Sequence, residues 1–147
     1  MSLIHGLVNG GALPALQRLA EFTEARHKVL AHNVANVDTP YFKPLDLEPQ
    51  RFQQALGEAI DRRRGGANPV RGDLPMDSTR QLEYRDGRLA ATRPDPINEG
   101  VLRHDENNTD LDRLMQSVAE NTMTHHAAMN LLQNQFQMLS IAIRERF

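Results

Sequence analysis

Histidine is the residue type in this chain with the widest chemical range, because imidazole can act as an acid, a base or a metal ligand. Four of the six histidines fall in two close pairs, His27 with His32 and His125 with His126. On an α-helix, residues five apart point about 140° away from each other, and adjacent residues diverge by about 100°. Zinc needs three or four converging ligands, so neither pair makes a site within an intact helix. We expect no metal site, and we interpret His125 as a packed, neutral imidazole.

The other side chains that commonly carry catalysis show no catalytic arrangement. No serine lies in a nucleophile elbow, no glycine-rich loop precedes a helix, and no paired carboxylates occupy an apolar face. The absence of cysteine excludes disulfides, thiolate metal sites and cysteine nucleophiles. The sequence therefore predicts a protein that is not an enzyme and that uses neither a cofactor nor a small-molecule substrate.

Composition narrows the possible partners. The formal net charge of −2, from 17 basic and 19 acidic residues, gives no electrostatic basis for binding nucleic acid. No stretch approaches the ~18 apolar residues of a membrane span, and the first residues lack the pattern of a cleavable signal peptide. The chain has 147 residues, of which 39% are hydrophobic and only seven are aromatic. This is the length of one domain with little material for a core, so we expect its stability to depend on partners.

A long apolar heptad is the strongest pattern in the C-terminal part of the chain. The only charged residue between Arg113 and Arg144 is Glu120, and amides take the places that charges usually hold. Such a helix can bury more than one face, and it predicts self-association or packing into an assembly. The helix is expected from Asp110 to Arg146, with an N-cap among residues 107–109. The heptad comprises Leu111, Met115, Val118, Thr122, His125, Met129, Leu132, Phe136, Leu139 and Ile143, with a second stripe of Leu114, Ala128, Leu131, Met138 and Ala142 beside it.

A second amphipathic helix is predicted from Ala12 to Val37. Its apolar and small residues recur every three or four positions, and Pro14 suits the first turn. Because Pro40 disfavours helical backbone at the preceding residue, the helix should end between Asn36 and Asp38. The residues of its seam are Leu16, Leu19, Thr23, Leu30, Asn33 and Val37.

The middle of the chain has a different character, with seven of the eight prolines and eleven of the seventeen basic residues. Pro49 could open a short helix that ends near 62–66, with Phe52, Leu56 and Ile60 on one face. Segments 81–84 and 89–92 flank an Asp-Gly turn signal and predict a small hairpin. The stretch 62–77 has few apolar residues, and we expect it to move freely in the isolated chain.

These elements together predict a mainly α fold. The long N- and C-terminal helices should pack as an antiparallel, coiled-coil-like pair, joined by an irregular middle segment with the short helix and the hairpin. The corresponding units are an N-terminal core helix in 1–39, a partly flexible outer connector in 40–107 and a C-terminal core helix in 108–147. Asn33 lies in the apolar seam of the first helix, where a buried amide could fix register between helices. From the residues alone, the alternative that Asn33 and Asn36 merely end the helix stays open.

Residues 33–43, NVANVDTPYFK, closely resemble the signature near the N-terminus of bacterial flagellar axial proteins, the rod and hook family. That pattern is an asparagine, an aliphatic residue, alanine, asparagine, two variable residues, threonine, proline, one variable residue, an aromatic residue and lysine. The segment NNTDLDRLM and the amide-rich helix after it are similar to the subunits of the proximal rod. The positions that match the motif are Asn33, Val34, Ala35, Asn36, Thr39, Pro40, Phe42 and Lys43. One departure is Tyr41, at a place where many axial proteins have glycine.

The resemblance implies a structural subunit of the flagellar basal body that assembles helically, with its terminal helices forming the inner core of the rod. It implies export through the flagellar type III system, and a place in the periplasmic rod at the inner membrane. Implied partners are copies of itself, other rod subunits, the rod adaptor FliE, the MS ring and the export gate. Asn33, Asn36, Thr39 and Pro40 would shape the turn that leaves the core helix, and Phe42 and Lys43 would contact neighbouring subunits. The alternatives are another rod subunit of this family and a soluble helical adaptor of defined oligomeric size.

Overall fold

The computed structural model describes residues 10–67, 73–97 and 111–144. The elements, in chain order, are α1 (Leu13–Ala35), β1 (Leu45–Asp46), α2 (Pro49–Arg64), β2 (Leu82–Arg85), β3 (Arg88–Thr92), β4 (Asp95–Pro96) and α3 (Leu111–Arg144). The predicted mainly helical fold, with its paired terminal helices, short middle helix and hairpin, is confirmed. The proposed N-cap at 107–109, and the helix ends at Asp110 and Arg146, lie outside the described residues.

The ends of α1 and α2 follow the signals in the sequence. Pro14 lies in the first turn of α1, and Asn36 is its C-cap, within the predicted window. Pro49 opens α2, which ends at Gly65 after a last turn rich in arginine. Proline suits a helix start because the first N–H groups have no partner within the helix, and basic side chains favour the negative end of the helix dipole.

α1 and α3 run antiparallel, and the polar contacts of Thr23 show it. The Thr23 hydroxyl donates to the Leu19 carbonyl oxygen at 2.9 Å, so it points toward the N-terminal end of α1. The Thr23 carbonyl points toward the C-terminal end of α1, as helix carbonyls do. Asn121 Nδ2 donates to this carbonyl at 2.9 Å, whereas His125, one turn later on α3, lies 2.9 Å from the hydroxyl. Moving forward along α3 therefore means moving backward along α1.

A compact core lies on the other side of α1. The Phe22 ring stacks on the Phe52 ring of α2 with centroids 4.2 Å apart and planes 4° from parallel. Around this pair pack Leu47, Ala59, Leu74, Met76 and Leu82, all buried. α1 is thus the central element, with α2 and the hairpin on one side and α3 on the other.

One expectation about the connector needs correction. Leu74 and Met76 are 3% and 7% exposed and belong to the core. Residues 73–77 are therefore packed, and the expectation of free movement is wrong there. Few apolar residues are enough when each one points inward. Residues 68–72 of that stretch lie outside the described residues. The sequence also gave no sign that β1 pairs with β4, with Leu45 opposite Pro96 and Asp46 opposite Asp95.

The hairpin of β2 and β3 is tighter than predicted. Its loop is Asp86-Gly87 alone, and both residues have positive φ, 50° and 72°. This is the conformation that Asp-Gly favours in a two-residue hairpin turn. Arg85 and Arg88, expected in the loop, are the closing pair of the strands.

Candidate assembly surface

The chain leaves α1 through a clamp centred on Asn33. This side chain is fully buried; its Nδ2 donates to the Leu45 carbonyl at 2.6 Å, and its Oδ1 accepts from the Leu45 N–H at 3.0 Å. The amide pairs with the backbone of β1 as a neighbouring strand would. Asn33 therefore fixes how the chain folds back on α1, within one subunit, and does not lie between α1 and α3.

The turn between α1 and β1 is built from the other residues of the motif. Asn36 Nδ2 donates to the His32 carbonyl at 2.8 Å, and the Thr39 N–H donates to the Asn36 carbonyl at 3.0 Å. The Phe42 N–H then bonds to the Thr39 carbonyl at 3.3 Å, which closes a turn with Pro40 and Tyr41 at its centre. Tyr41 has a φ of 60°, the left-handed conformation that a type II turn requires at its third position and that usually selects glycine.

The remaining motif residues differ in exposure. The Phe42 ring packs edge-on against the His32 ring with centroids 5.6 Å apart and is partly buried. Lys43 and Ala35 are exposed, and Val34 is partly buried. Lys43 is therefore not part of the core, whereas Phe42 packs partly against α1 of its own subunit.

A polar network next to the Asn33 clamp was missed by sequence reasoning. Arg26 Nε and Nη2 donate to the two carboxylate oxygens of Asp46 at 2.8 and 2.6 Å. Gln81, 3% exposed, accepts from the Glu48 N–H at 2.9 Å and donates to Asp95 at 3.0 Å. Charged and amide residues in a helix or loop are usually solvated, so only the tertiary fold reveals that these are buried and paired.

α3 buries one narrow seam against α1. The buried residues are Leu114, Asn121, Ala128 and Leu132, and Val118 and His125 between them are partly buried. Their spacing alternates between three and four residues, as in a coiled coil. Leu114, Asn121 and Ala128 lie outside the predicted heptad, so the seam toward α1 is shifted from it by about one residue.

Half of the predicted heptad therefore forms a separate stripe on the surface of α3. Each member is between 41% and 53% exposed; they are Leu111, Met115, Met129, Phe136 and Ile143. Of the other predicted seam residues, Leu30 and Leu132 are buried, whereas Leu16, Leu19, Val118 and Leu139 are partly buried. We call the five exposed residues the α3 stripe. It is an apolar face that the described part of this chain leaves open to solvent.

The other flank of α3 is also apolar and exposed. Leu131 and Met138 are 51% and 54% exposed, and most of the amides around them face solvent. Asn121 is the amide that is buried, where it bonds to the Thr23 carbonyl. The predicted second stripe is thus split, because its members Leu114 and Ala128 pack on α1.

The histidines do not form a metal centre in the residues that the structure describes. Glu24 and His27 of α1, with Thr122, His125 and His126 of α3, line a small open cleft between the two helices. A hydrogen bond from Lys28, and its positive charge, lower the pKa of the exposed Glu24 carboxyl. None of the described helices is long and apolar enough to span a bilayer.

No protein-family model matches the chain. Three curated proteins similar to it are each named flagellar basal body rod protein FlgB. The one from Borrelia hermsii is 29% identical over 131 residues, or 86% of this chain and 91% of that protein. The one from Yersinia enterocolitica is 26% identical over 138 residues, 89% and 93% of the two chains. The one from Aquifex aeolicus is 23% identical over 134 residues, 88% and 90%. These alignments extend well beyond the two terminal helices, into the connector.

Proposed function

We propose that this chain is a structural subunit of the proximal rod of the bacterial flagellar basal body, with no catalytic role. The observation that carries the proposal is similarity to flagellar basal body rod proteins along nearly the whole chain, at 23–29% identity. In this role the subunit anchors the drive shaft and transmits torque by being packed between neighbours. The open surface of α3 supports that mechanism.

The α3 stripe is the surface through which the subunit would assemble. Clusters of exposed apolar side chains often mark an interaction site. Met129, Phe136 and Ile143, at intervals of seven residues, form such a cluster at the C-terminal end of the stripe. The stripe lies beside the seam that α1 already occupies, so a neighbouring subunit can pack there without displacing α1. When one face of a subunit contacts a different face of the next subunit, the same contact can repeat and build a helical tube. A two-fold dimer uses the same face of both subunits and is closed.

The turn after α1 would hold the outer part of each subunit at a fixed angle to the helical core. The Asn33 clamp and the buried Arg26–Asp46 pair both tie β1 to α1. A rigid connection suits a torque-bearing part because a load on the connector is passed to the helices without bending the junction. Phe42 and Lys43, at the edge of this turn, would contact neighbouring subunits.

The proposed location is the periplasmic rod at the inner membrane, reached by flagellar type III export without cleavage of a signal peptide. Its neighbours there would be copies of itself, other rod subunits, the adaptor FliE, the MS ring and the export gate. The similarity to FlgB proteins supports the basal-body location.

Electron microscopy of basal bodies from cells that lack only this gene tests the proposal. Membrane rings without a rod, restored to complete rods by the wild-type gene, are the expected result. Complete rods and hooks in the deletion strain would overturn it. Rods that begin normally but stop short would favour a rod subunit further along the axis. Complete rods, together with a purified chain that stops at one oligomeric size, would favour an adaptor.

A further inference from the structure

Tyr41 combines two unfavourable features. It adopts a left-handed backbone conformation, with a φ of 60°, and its side chain is 72% exposed. For an L-residue other than glycine, asparagine or aspartate, this conformation is strained. An exposed aromatic ring gains little from burial in its own chain. The hydrogen bond from the Phe42 N–H to the Thr39 carbonyl holds this backbone in place, so the turn presents the ring to solvent at a fixed position. Backbone strain of this kind is commonly kept where it serves binding.

The C-terminal half of α3 carries a groove that suits a tyrosine. Its apolar floor comes from Met129, Leu132 and Phe136, and its polar edge from Gln133, Gln137 and Ser140. Methionine sulfur packs favourably against aromatic rings. A phenol needs a partner for its hydroxyl when the ring is buried, and an uncharged amide or hydroxyl can supply one. Among the described residues, none that lines the groove is charged, so no salt bridge there competes with the ring.

Tyr41 cannot reach the groove of its own subunit. α1 and α3 cross at Thr23 and residues 121–125, and Tyr41 follows the C-terminal end of α1. At 1.5 Å per residue, that end lies about 20 Å from the crossing. The centre of the groove lies roughly 15 Å from the crossing in the opposite direction, because the helices are antiparallel. A separation of over 30 Å is several times the length of a tyrosine side chain.

We propose that Tyr41 of one copy of this chain docks in the Met129–Ser140 groove of a second copy. The contact joins opposite ends of the α1–α3 pair, so it is head-to-tail and leaves one free Tyr41 and one free groove at the ends of every chain of copies. The inference rests on the proposed function, to which it adds the residue and the surface that make one axial contact.

Cysteine crosslinking tests the contact directly, because the chain has no native cysteine. The full-length chain with Tyr41→Cys and Gln137→Cys replaces the wild type in cells and is oxidised before basal bodies are isolated. A ladder of disulfide-linked dimers, trimers and larger species is expected. The single variants should give dimers at most. The control pair Gln53→Cys with Gln137→Cys should give no ladder, because Gln53 is also exposed but lies on α2, outside the proposed contact.

Three results of this experiment would overturn the inference. One is the absence of a ladder from the Tyr41 pair when the protein is present in basal bodies. Another is crosslinking of Tyr41→Cys only to a different protein. The third is failure of Gln137→Cys to react with a maleimide in the monomer, which would mean that the groove is already covered within one subunit.

A series of Tyr41 variants separates a binding role from a structural one. Tyr41→Gly relieves the strain and should raise the thermal midpoint of the isolated chain by roughly 2–4 °C. The same variant, and Tyr41→Ala, should weaken self-association about tenfold by removing the ring. Tyr41→Phe keeps the ring and should lose less. Unchanged self-association and motility in Tyr41→Gly would overturn the inference, whereas complete rods without the gene would overturn the proposed function instead.

Discussion

The side chain of Asn33 pairs with both backbone groups of Leu45, twelve residues later, through bonds of 2.6 and 3.0 Å. One amide thus takes the place of a second strand partner for β1, in addition to β4, and closes the turn that leaves α1. Asn33 is fully buried, so water cannot substitute for the amide. The two bonds are the local reason why asparagine, with a donor and an acceptor on one planar group, suits this position.

Replacing Asn33 by leucine should destabilise the chain by about 2–4 kcal/mol, because the Leu45 N–H and carbonyl both lose their partner in a buried environment. Urea unfolding followed by circular dichroism measures the loss. The matched control is Asn36→Leu, which removes the bond to the His32 carbonyl and a long bond from the Thr39 hydroxyl, both at the surface, and should cost about 1 kcal/mol. Equal losses in the two variants would contradict the clamp.

Arg26→Met should cost about 2–3 kcal/mol, since it removes two charge-assisted hydrogen bonds and leaves the partly buried Asp46 carboxylate with its bond from the Leu47 N–H. The side chains of this pair are 9% and 19% exposed. Lys28→Met is the control, because the Lys28–Glu24 pair on the same helix is 74% and 62% exposed and should contribute less than about 1 kcal/mol. Both variants are compared by urea unfolding. If Arg26→Met and the wild type were equally stable in 1 M salt, the Arg26–Asp46 pair would be solvated and not shielded from water.

Leu74→Ala tests whether residues 73–77 are packed against the core. Leu74 is 3% exposed within the core cluster, so its truncation should cost about 2–5 kcal/mol. Leu131→Ala, an equal truncation on the exposed flank of α3, should change the free energy of unfolding by less than about 0.5 kcal/mol. Thermal unfolding of both variants decides the matter. No effect at Leu74 would support a mobile connector.

Phe136→Asp separates assembly from folding. Phe136 is 46% exposed, so a charge there should leave the stability of the isolated chain within about 0.5 kcal/mol of the wild type. In the assembly the same charge would be buried without a partner, and motility should be lost. Leu132→Asp, one turn earlier in the buried seam, should unfold the α1–α3 pair itself. Normal motility of Phe136→Asp cells would remove the intersubunit role of the α3 stripe.

The folded chain should lose stability in alkaline solution because of Tyr84. Burial, and the negative charge of Glu21, raise the pKa of its phenol from 10 to about 12. The folded state therefore holds the proton more tightly than the unfolded state. The resulting stabilisation is complete below pH 10 and is lost as the pH rises toward 12. Urea unfolding at pH 9 and pH 11.5 should show this fall, and Tyr84→Phe should reduce it.

The same variant has a second expected effect at neutral pH. The Tyr84 hydroxyl is buried without a hydrogen-bond partner in the described structure. Removing an unsatisfied buried hydroxyl costs nothing in lost bonds, so Tyr84→Phe should be neutral or slightly stabilising near pH 7. A clear loss of stability at pH 7 would mean that the hydroxyl is bonded.

Local rules determined the helices and the hairpin from sequence. Pro14, Pro49 and the Asn36–Pro40 stretch delimit α1 and α2, and Asp86-Gly87 makes the turn, because each acts on backbone within a few residues of itself. The residue types at 33–43 are sufficient for the resemblance to flagellar axial proteins. Its signal was strong because proline, asparagine and the aromatic residue each act on the same turn.

The tertiary structure decided which face of each helix is used. The heptad of α3 has two neighbouring apolar stripes, and periodicity cannot tell which of them packs on α1 and which stays open to a second molecule. It likewise took the fold to pair Arg26 with Asp46 and to bring Leu74 into the core, since these contacts join residues far apart in sequence. Sequence fixes propensity and periodicity locally, whereas burial depends on which surfaces meet, and only the folded chain determines that.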